Sequence, residues 1–282
     1  MEINKVAVIG TGLMGSGIAY VVANSGRDVV LVDQKQEFLD AGMSKIREQI
    51  KDGITRGKLS PKEGENLSKK FSKTLDLAEA LQGTDMVIEA VFENMEVKKD
   101  VFKRLSDVAG ENVILASNTS TLSITELANV TKKPSNVVGL HFFSPVPAMK
   151  LVEIVSGADT NPEITEAMTS FVESISKTPV HAKNSPGFIV NRLLLPMLNE
   201  AMKLLDNGIA TKEDIDKAAV LGASFPAGPF TLADMVGLDV ALASMRTLEK
   251  ELGDCYKPST TLVSLVEAGK LGMKTKSGFY EY

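Results

Sequence analysis

Apolar positions come in short blocks along the first two-thirds of the chain. "KVAVIG" opens with a β-branched run at residues 6–9. A glycine-rich break follows, then an apolar helical stretch over 18–23, then "DVVLVD", a second short run that closes on Asp33. Blocks of four to six residues rich in Val and Ile, bounded by Gly or Asp, predict buried strands. The alternation continues: "DMVIEAVFE" (85–93) predicts a strand ending in Glu93, and "NMEVKKDVFKRLSDVA" a helix. "NVILASN" (112–118) predicts a strand and "SITELANVT" a helix. Two strands follow at 136–143 and 151–155, and a last one near 177–182. Strands alternating with helices predict an α/β architecture with a mostly parallel, doubly wound sheet.

The alternation stops near "KNSPGFIVNR". Beyond it "FIVNRLLLPMLNEAMKLLDNG" predicts a helix closed by Gly208 and kinked at Pro196. "TKEDIDKAAVLG" predicts another, N-capped by Thr211. The expected organisation is an α/β domain over residues 1–184, with a helical hairpin inserted at about 38–72, and an all-helical domain over 185–282. The helical domain carries more apolar residues than one stripe per helix needs, which predicts a partner for a second face. A homodimer through this domain is the economical expectation.

The break after the first strand is chemically specific. Gly10, Gly12 and Gly15 form G-x-G-x-x-G between strand and helix, and Asp33 lies 18 residues past the third glycine. Gly10 permits the tight turn, Gly12 lets a pyrophosphate approach the backbone, and Gly15 lets helix and strand pack closely. Leu13 and Met14 sit in the turn whose N–H groups face the phosphates. The fold is therefore expected to be Rossmann-like. Asp33 accepts from a ribose 2′-OH and repels a 2′-phosphate, so NAD is favoured over NADP.

Ligands of such sheets sit beyond the C-terminal strand ends. Glu93 falls on that rim, with Lys98 one turn into the next helix. In "SNTSTLSITE", Ser123 and Glu126 predict a capping box. Asn118, Thr119 and Ser120 are left in the loop without that task. In "GLHFFSPVPAMKLVEIV", Glu153 interrupts an apolar run close to His141, one of only two histidines. A buried carboxylate needs a partner. Glu153 accepting from one ring nitrogen of His141 fixes the tautomer and leaves the other nitrogen as a base. His181 lies away from this rim and is expected to be structural.

Composition narrows the classes. No apolar run approaches a membrane span, and the opening residues lack a signal-peptide pattern. The single cysteine, Cys255, excludes an intrachain disulfide and suits a reducing cytoplasm. Two histidines and one cysteine make no metal-ligand set. A net charge of −5 weighs against nucleic-acid binding. Residues 45–73 are the exception, with nine basic and four acidic side chains, which suits either a solvated hairpin or a landing site for an anion.

In combination, "VIGTGLMGSGIA", "ASNTSTLSITE", "GLHFFSPVPAMKLVEIV", "SPGFIVNRLLLPMLNEA", "GPFTLADMVGLD" and "KTKSGFYEY" resemble the 3-hydroxyacyl-CoA dehydrogenase family over essentially the whole length. The resemblance implies reversible NAD-dependent oxidation of an (S)-3-hydroxyacyl-CoA, with 3-hydroxybutyryl-CoA as the substrate of the short bacterial members. It implies that His141 is the catalytic base and Glu153 its orienting carboxylate. Ser120 and Asn191 would hold the reacting oxygen and the nearby carbonyl. Glu93, Lys98, Asn118, Ser120, Ser144 and Lys274 would contact NAD. The basic hairpin would close over coenzyme A, with Lys51 and Arg56 on its phosphates. Two positions depart from the family pattern: Ser144 stands where Asn is frequent, and Gln49 where a serine is frequent. Two other readings stay open, a β-hydroxyacid dehydrogenase acting on free acids and a non-catalytic NAD-binding structural protein. The His141–Glu153 pair and the basic hairpin weigh against the first. The full set of Ser120, His141, Glu153 and Asn191 weighs against the second.

Overall fold

Val6, Ala7, Val8 and Ile9 are all buried on strand β1 (Lys5–Ile9), as expected of a parallel strand covered on both faces. The computed structural model describes residues 2–282, and the chain divides into two compact units between Ser185 and Pro186.

The first unit continues with α1 (Leu13–Asn24), β2 (Asp28–Val32), α2 (Gln36–Thr55), α3 (Pro61–Ser68), β3 (Phe71–Thr74), α4 (Leu77–Ala80), β4 (Met86–Glu89) and α5 (Met95–Val108). Then come β5 (Ile114–Ser117), α6 (Ile124–Ala128), β6 (Val137–Phe142), β7 (Leu151–Ser156), α7 (Pro162–Ser174) and β8 (Thr178–Lys183). The strands form one sheet in the order β3-β2-β1-β4-β5-β6-β7-β8. All neighbours are parallel except β6 and β7, so β7 and β8 run against the rest. Strand order reverses at β1, between β2 and β4. The crevice of such a sheet opens at that switch point.

Several local expectations change. The strand expected over 85–93 is shorter: β4 ends at Glu89, and Glu93 lies in the loop before α5 rather than at a strand end. Asn94 caps α5 by accepting from the Val97 N–H at 3.1 Å, which starts the helix. The hairpin is α2 and α3, followed by an unforeseen edge strand, β3, whose "FSKT" is too polar and short to signal itself. Gly64 lies so close to Ile54 that a Cβ would come within 2.6 Å of its Cδ1. A full capping box forms at Ser60 and Glu63. At Ser123 only half of the expected box forms. Its hydroxyl accepts from the Glu126 N–H, while the Glu126 carboxylate pairs with Lys99 at 2.6 Å.

The second unit is helical: α8 (Val190–Asp206), α9 (Lys212–Ala223), α10 (Pro229–Val236), α11 (Leu238–Leu252) and α12 (Thr260–Glu267). Leu195, Leu198, Met202, Phe230, Met245 and Leu248 build its core. α8 runs through Pro196 as one helix, and Thr211 caps α9. The C-terminal segment is tied down by Asp234, whose carboxylate accepts from the backbone N–H groups of Phe279 and Tyr280 and from the Tyr282 hydroxyl, each at 2.9 Å. Among the described residues no helix is long and apolar enough to cross a membrane.

Candidate active site

The glycine loop leaves β1 at the switch point. Gly10 has φ +91°, and a Cβ there would meet the Ala90 carbonyl oxygen at 2.7 Å, so the loops after β1 and β4 lie against each other. A Cβ on Gly15 would fall 1.8 Å from the Gly10 carbonyl oxygen. Gly12 differs: a Cβ there would meet no atom within 4 Å. The absent side chain leaves open space at the N-terminus of α1, where Leu13 and Met14 begin the helix. First-turn N–H groups have no intrahelical acceptor and favour an anion. Asp33 follows β2. Its Oδ2 accepts from the Thr11 N–H (2.7 Å) and hydroxyl (2.8 Å), which fixes the carboxylate beside the loop. A carboxylate has about four lone-pair sites, so capacity remains for a ribose hydroxyl. These residues fit a dinucleotide.

Three strands further along the same sheet edge, His141 sits one residue before the end of β6. Antiparallel pairing sets it directly opposite Glu153 on β7. Glu153 is fully buried and His141 is 6% exposed. The imidazole Nδ1 lies 2.6 Å from Glu153 Oε2. The carboxylate accepts from Nδ1–H, so the pair selects one tautomer. The Phe143 ring packs on the imidazole with centroids 4.3 Å apart. Asn118 braces this strand: its Oδ1 accepts from the Phe142 N–H at 2.9 Å, while its own N–H donates to the Glu89 carbonyl at 2.8 Å.

Between these two features lies an ionic network. Glu93 Oε1 accepts from the Thr119 hydroxyl (2.6 Å), the Ser120 N–H (2.8 Å) and the Ser120 hydroxyl (3.1 Å). Glu93 Oε2 lies 3.2 Å from the Lys98 ammonium. Burial by itself would raise the Glu93 pKa, but Lys98, Thr119 and Ser120 outweigh it and hold the carboxyl below its ordinary value. Lys98 is 1% exposed and sits beneath the rim rather than on it. Its first partner is Glu89 at 2.6 Å, which the strand pattern alone did not single out. Both residues had a sequence signal. "VIEAV" interrupts an apolar run as "LVEIV" does. Lys98 occupies the buried stripe of α5 with Val101, Phe102 and Leu105, at the i, i+3, i+4, i+7 positions of an apolar face.

The remaining candidates are dispersed. Ser144 is exposed in the loop between β6 and β7. That loop is pinned by Lys177, whose ammonium donates to the carbonyls of Val146 (2.5 Å) and Met149 (2.6 Å). Lys51 and Arg56 are exposed on the basic hairpin, Arg56 at the C-cap of α2. In the second unit, Asn191 lies in the first turn of α8, and Lys274 is ion-paired with Asp239.

The chain has close relatives. Residues 5–185 match the family model of the 3-hydroxyacyl-CoA dehydrogenase NAD binding domain, and residues 187–282 match that of the C-terminal domain. The chain is 46% identical over 279 residues to the 3-hydroxybutyryl-CoA dehydrogenase of Clostridioides difficile, with 99% of each chain covered. It is 44% identical over 289 residues to the mitochondrial hydroxyacyl-coenzyme A dehydrogenase of Homo sapiens, covering 99% of this chain and 91% of the other. A crystal structure of (S)-3-hydroxybutyryl-CoA dehydrogenase from Ralstonia eutropha matches with a TM-score of 0.95 at 40% identity, covering 100% of this chain and 99% of that one. A glycine loop at the switch point, a buried His–Glu pair further along the same edge and a helical second unit thus occur in a sequence that matches both family models end to end, and the chain belongs to the 3-hydroxyacyl-CoA dehydrogenase family.

Proposed function

We propose that this protein catalyses the reversible, NAD-dependent oxidation of (S)-3-hydroxybutyryl-CoA to acetoacetyl-CoA. The observation that carries this reading is the buried His141–Glu153 pair, 2.6 Å apart, at the ligand edge of the sheet. NAD supplies the acceptor for the hydride that leaves C3. Gly10, Gly12, Leu13, Met14, Gly15 and Asp33 would hold it, with Glu93, Asn118, Ser144 and Lys274 as further contacts. His141 takes the hydroxyl proton at Nε2 during oxidation and returns it during reduction. Glu153 stabilises the imidazolium that forms, because a carboxylate on Nδ1–H gains a full charge–charge interaction when the ring becomes cationic. Ser120 and Asn191 hold the reacting oxygen and the thioester carbonyl.

Substrate recognition extends to the hairpin, where Lys51 and Arg56 meet the phosphates of coenzyme A. Their exposure and the local excess of basic residues support this. The protein acts in a reducing cytoplasm, in keeping with its single cysteine. It pairs as a homodimer through the helical unit. In support, that unit carries an apolar groove of about 670 Å³ lined by Met197, Ala201, Leu204, Ile215, Ala219 and Phe225. Leu193, Ile209 and Leu221 are more than two-thirds exposed in the same unit. Apolar surface of this kind marks an association site.

The test is NADH oxidation on adding acetoacetyl-CoA, with NADPH and free acetoacetate run in parallel. Rapid loss of NADH with the thioester alone is expected. Reaction with free acetoacetate instead would move the protein to the β-hydroxyacid dehydrogenases. Inertness toward both would overturn the enzymatic reading.

A further inference from the structure

Glu89 ends β4 at the switch point with no exposed surface, and the proton transfer above does not use it. Both of its oxygens are engaged. Oε1 accepts from the Lys98 ammonium at 2.6 Å and from the Val91 N–H at 2.7 Å, and Oε2 accepts from the Ser117 hydroxyl at 2.7 Å. Lys98 bridges onward to Glu93 Oε2 at 3.2 Å. Glu93 Oε1 receives both the N–H and the hydroxyl of Ser120. An unbroken chain of charge-assisted contacts therefore runs from a buried strand end to a hydroxyl on the rim.

Packing does not explain this chain. A buried ion pair contributes little net stability compared with apolar residues of similar volume, which leaves a geometric task open to it. Glu93 is the residue that needs one. It lies in the short loop between β4 and α5, beside Phe92, which is 79% exposed. A carboxylate on such a loop samples several rotamers unless something fixes it. Lys98 fixes one oxygen, which turns the other toward Ser120. Lys98 in turn is held by Glu89 rather than by Glu93 alone, and the Glu89 rotamer is set by Ser117 and the Val91 N–H.

We propose that Glu89 is a positioning residue for the reaction: through Lys98 and Glu93 it holds Ser120 where that side chain meets the substrate oxygen. The proposal rests on the dehydrogenase reading and on the role given there to Ser120. It separates Glu89 from residues that only fill the core, and from a route through Glu93 to the cofactor, because in this proposal its effect on turnover passes through Ser120.

A double-mutant cycle tests this. Rates of acetoacetyl-CoA reduction by NADH are measured for the wild type, Glu89→Gln, Ser120→Ala and the double variant, with thermal midpoints taken alongside. Glu89→Gln keeps the shape but loses the charge that anchors Lys98. It is expected to lower kcat/KM at least about tenfold, the usual scale for losing an orienting charge-assisted hydrogen bond. In the Ser120→Ala background the same change is expected to cost less than about threefold, because coupled residues are not additive. A folded Glu89→Gln variant with unchanged kcat/KM overturns the proposal, as does the same fold-loss in both backgrounds. Ser117→Ala removes only one bond to Glu89 and serves if Glu89→Gln does not fold. Its smaller loss must also vanish in the Ser120→Ala background, and persistence there is equally decisive against the proposal. A wild type inactive with acetoacetyl-CoA removes the dehydrogenase reading and this proposal with it.

Discussion

His141 and Glu153 are paired residues of two antiparallel strands, joined by a 2.6 Å contact between Nδ1 and Oε2. Among the described residues, β6 and β7 are the one antiparallel junction in an otherwise parallel sheet. The reversal lets a residue on the second strand stand opposite the end of the first, on the rim where ligands bind. In a parallel pair the same sequence separation would need a crossover, and Glu153 would not return to this position. The geometry restricts the imidazole to one tautomer before any substrate arrives.

Replacing His141 with Ala should lower turnover by at least about a hundredfold, the low end of what a positioned acid–base group contributes. NADH binding should persist, since the glycine loop is built from other elements. Steady-state rates with acetoacetyl-CoA, paired with a fluorescence titration of NADH, separate the two effects. Turnover near that of the wild type would remove His141 from the mechanism.

Glu153→Gln keeps an acceptor for Nδ1–H but removes the charge that would stabilise an imidazolium in the proposed mechanism. A charge-assisted hydrogen bond is worth about 1.5–3 kcal/mol. The expected loss in kcat is therefore about 10–100-fold, at about 1.4 kcal/mol per factor of ten. Single-turnover rates are the measurement. A variant as fast as the wild type would show that the carboxylate does no more than fill its site.

Gly15→Ala should weaken NADH binding by at least about tenfold, because α1 must shift from the loop that faces the pyrophosphate. The physical reason is the 1.8 Å approach of a Cβ to the Gly10 carbonyl oxygen, a contact that backbone cannot relieve without moving. Gly12→Ala is the informative contrast. Its Cβ enters open space, so the fold should persist while the dinucleotide is crowded out. Thermal midpoints and NADH titrations of the two variants should thus dissociate.

Alkaline stability should depend on Tyr282. Burial, and then its bond to Asp234, push the phenol up to about 12. A raised folded-state pKa favours the neutral phenol. The associated stability is complete below the unfolded value of about 10 and is lost as pH rises through the folded one. Tyr282→Phe should therefore flatten part of the fall in melting temperature between about pH 10 and 12. Tyr280, raised in the same way by burial and Asp216, should supply the slope that remains. An unchanged pH dependence in Tyr282→Phe would dissociate the phenol from this effect.

Ala218→Arg places a cation in the apolar groove of the helical unit. If a second copy covers that groove, sedimentation should show a shift from dimer to monomer with the monomer still helical. A dimer undisturbed by the change would place the self-association surface elsewhere.

The sequence by itself determined the α/β alternation, the glycine loop with Asp33, and the predominantly helical character of the chain past Pro186. Each is a local property: strand length, helical period and turn chemistry are written in neighbouring residues. It also pointed to the His141–Glu153 pair, because a carboxylate inside an apolar run demands a partner and histidine was scarce. Tertiary structure decided what depends on residues distant in the chain. Glu126 turned to Lys99 rather than completing a capping box, since a neighbouring helix offered a cation. β4 ended at Glu89 rather than Glu93, which moved the rim carboxylate into a loop and gave the buried strand end to a different one. The strand pattern could not rank those two glutamates. Their difference lies in Lys98, brought from α5 between them, and in Ser117 and Ser120, which arrive from the neighbouring strand and its loop.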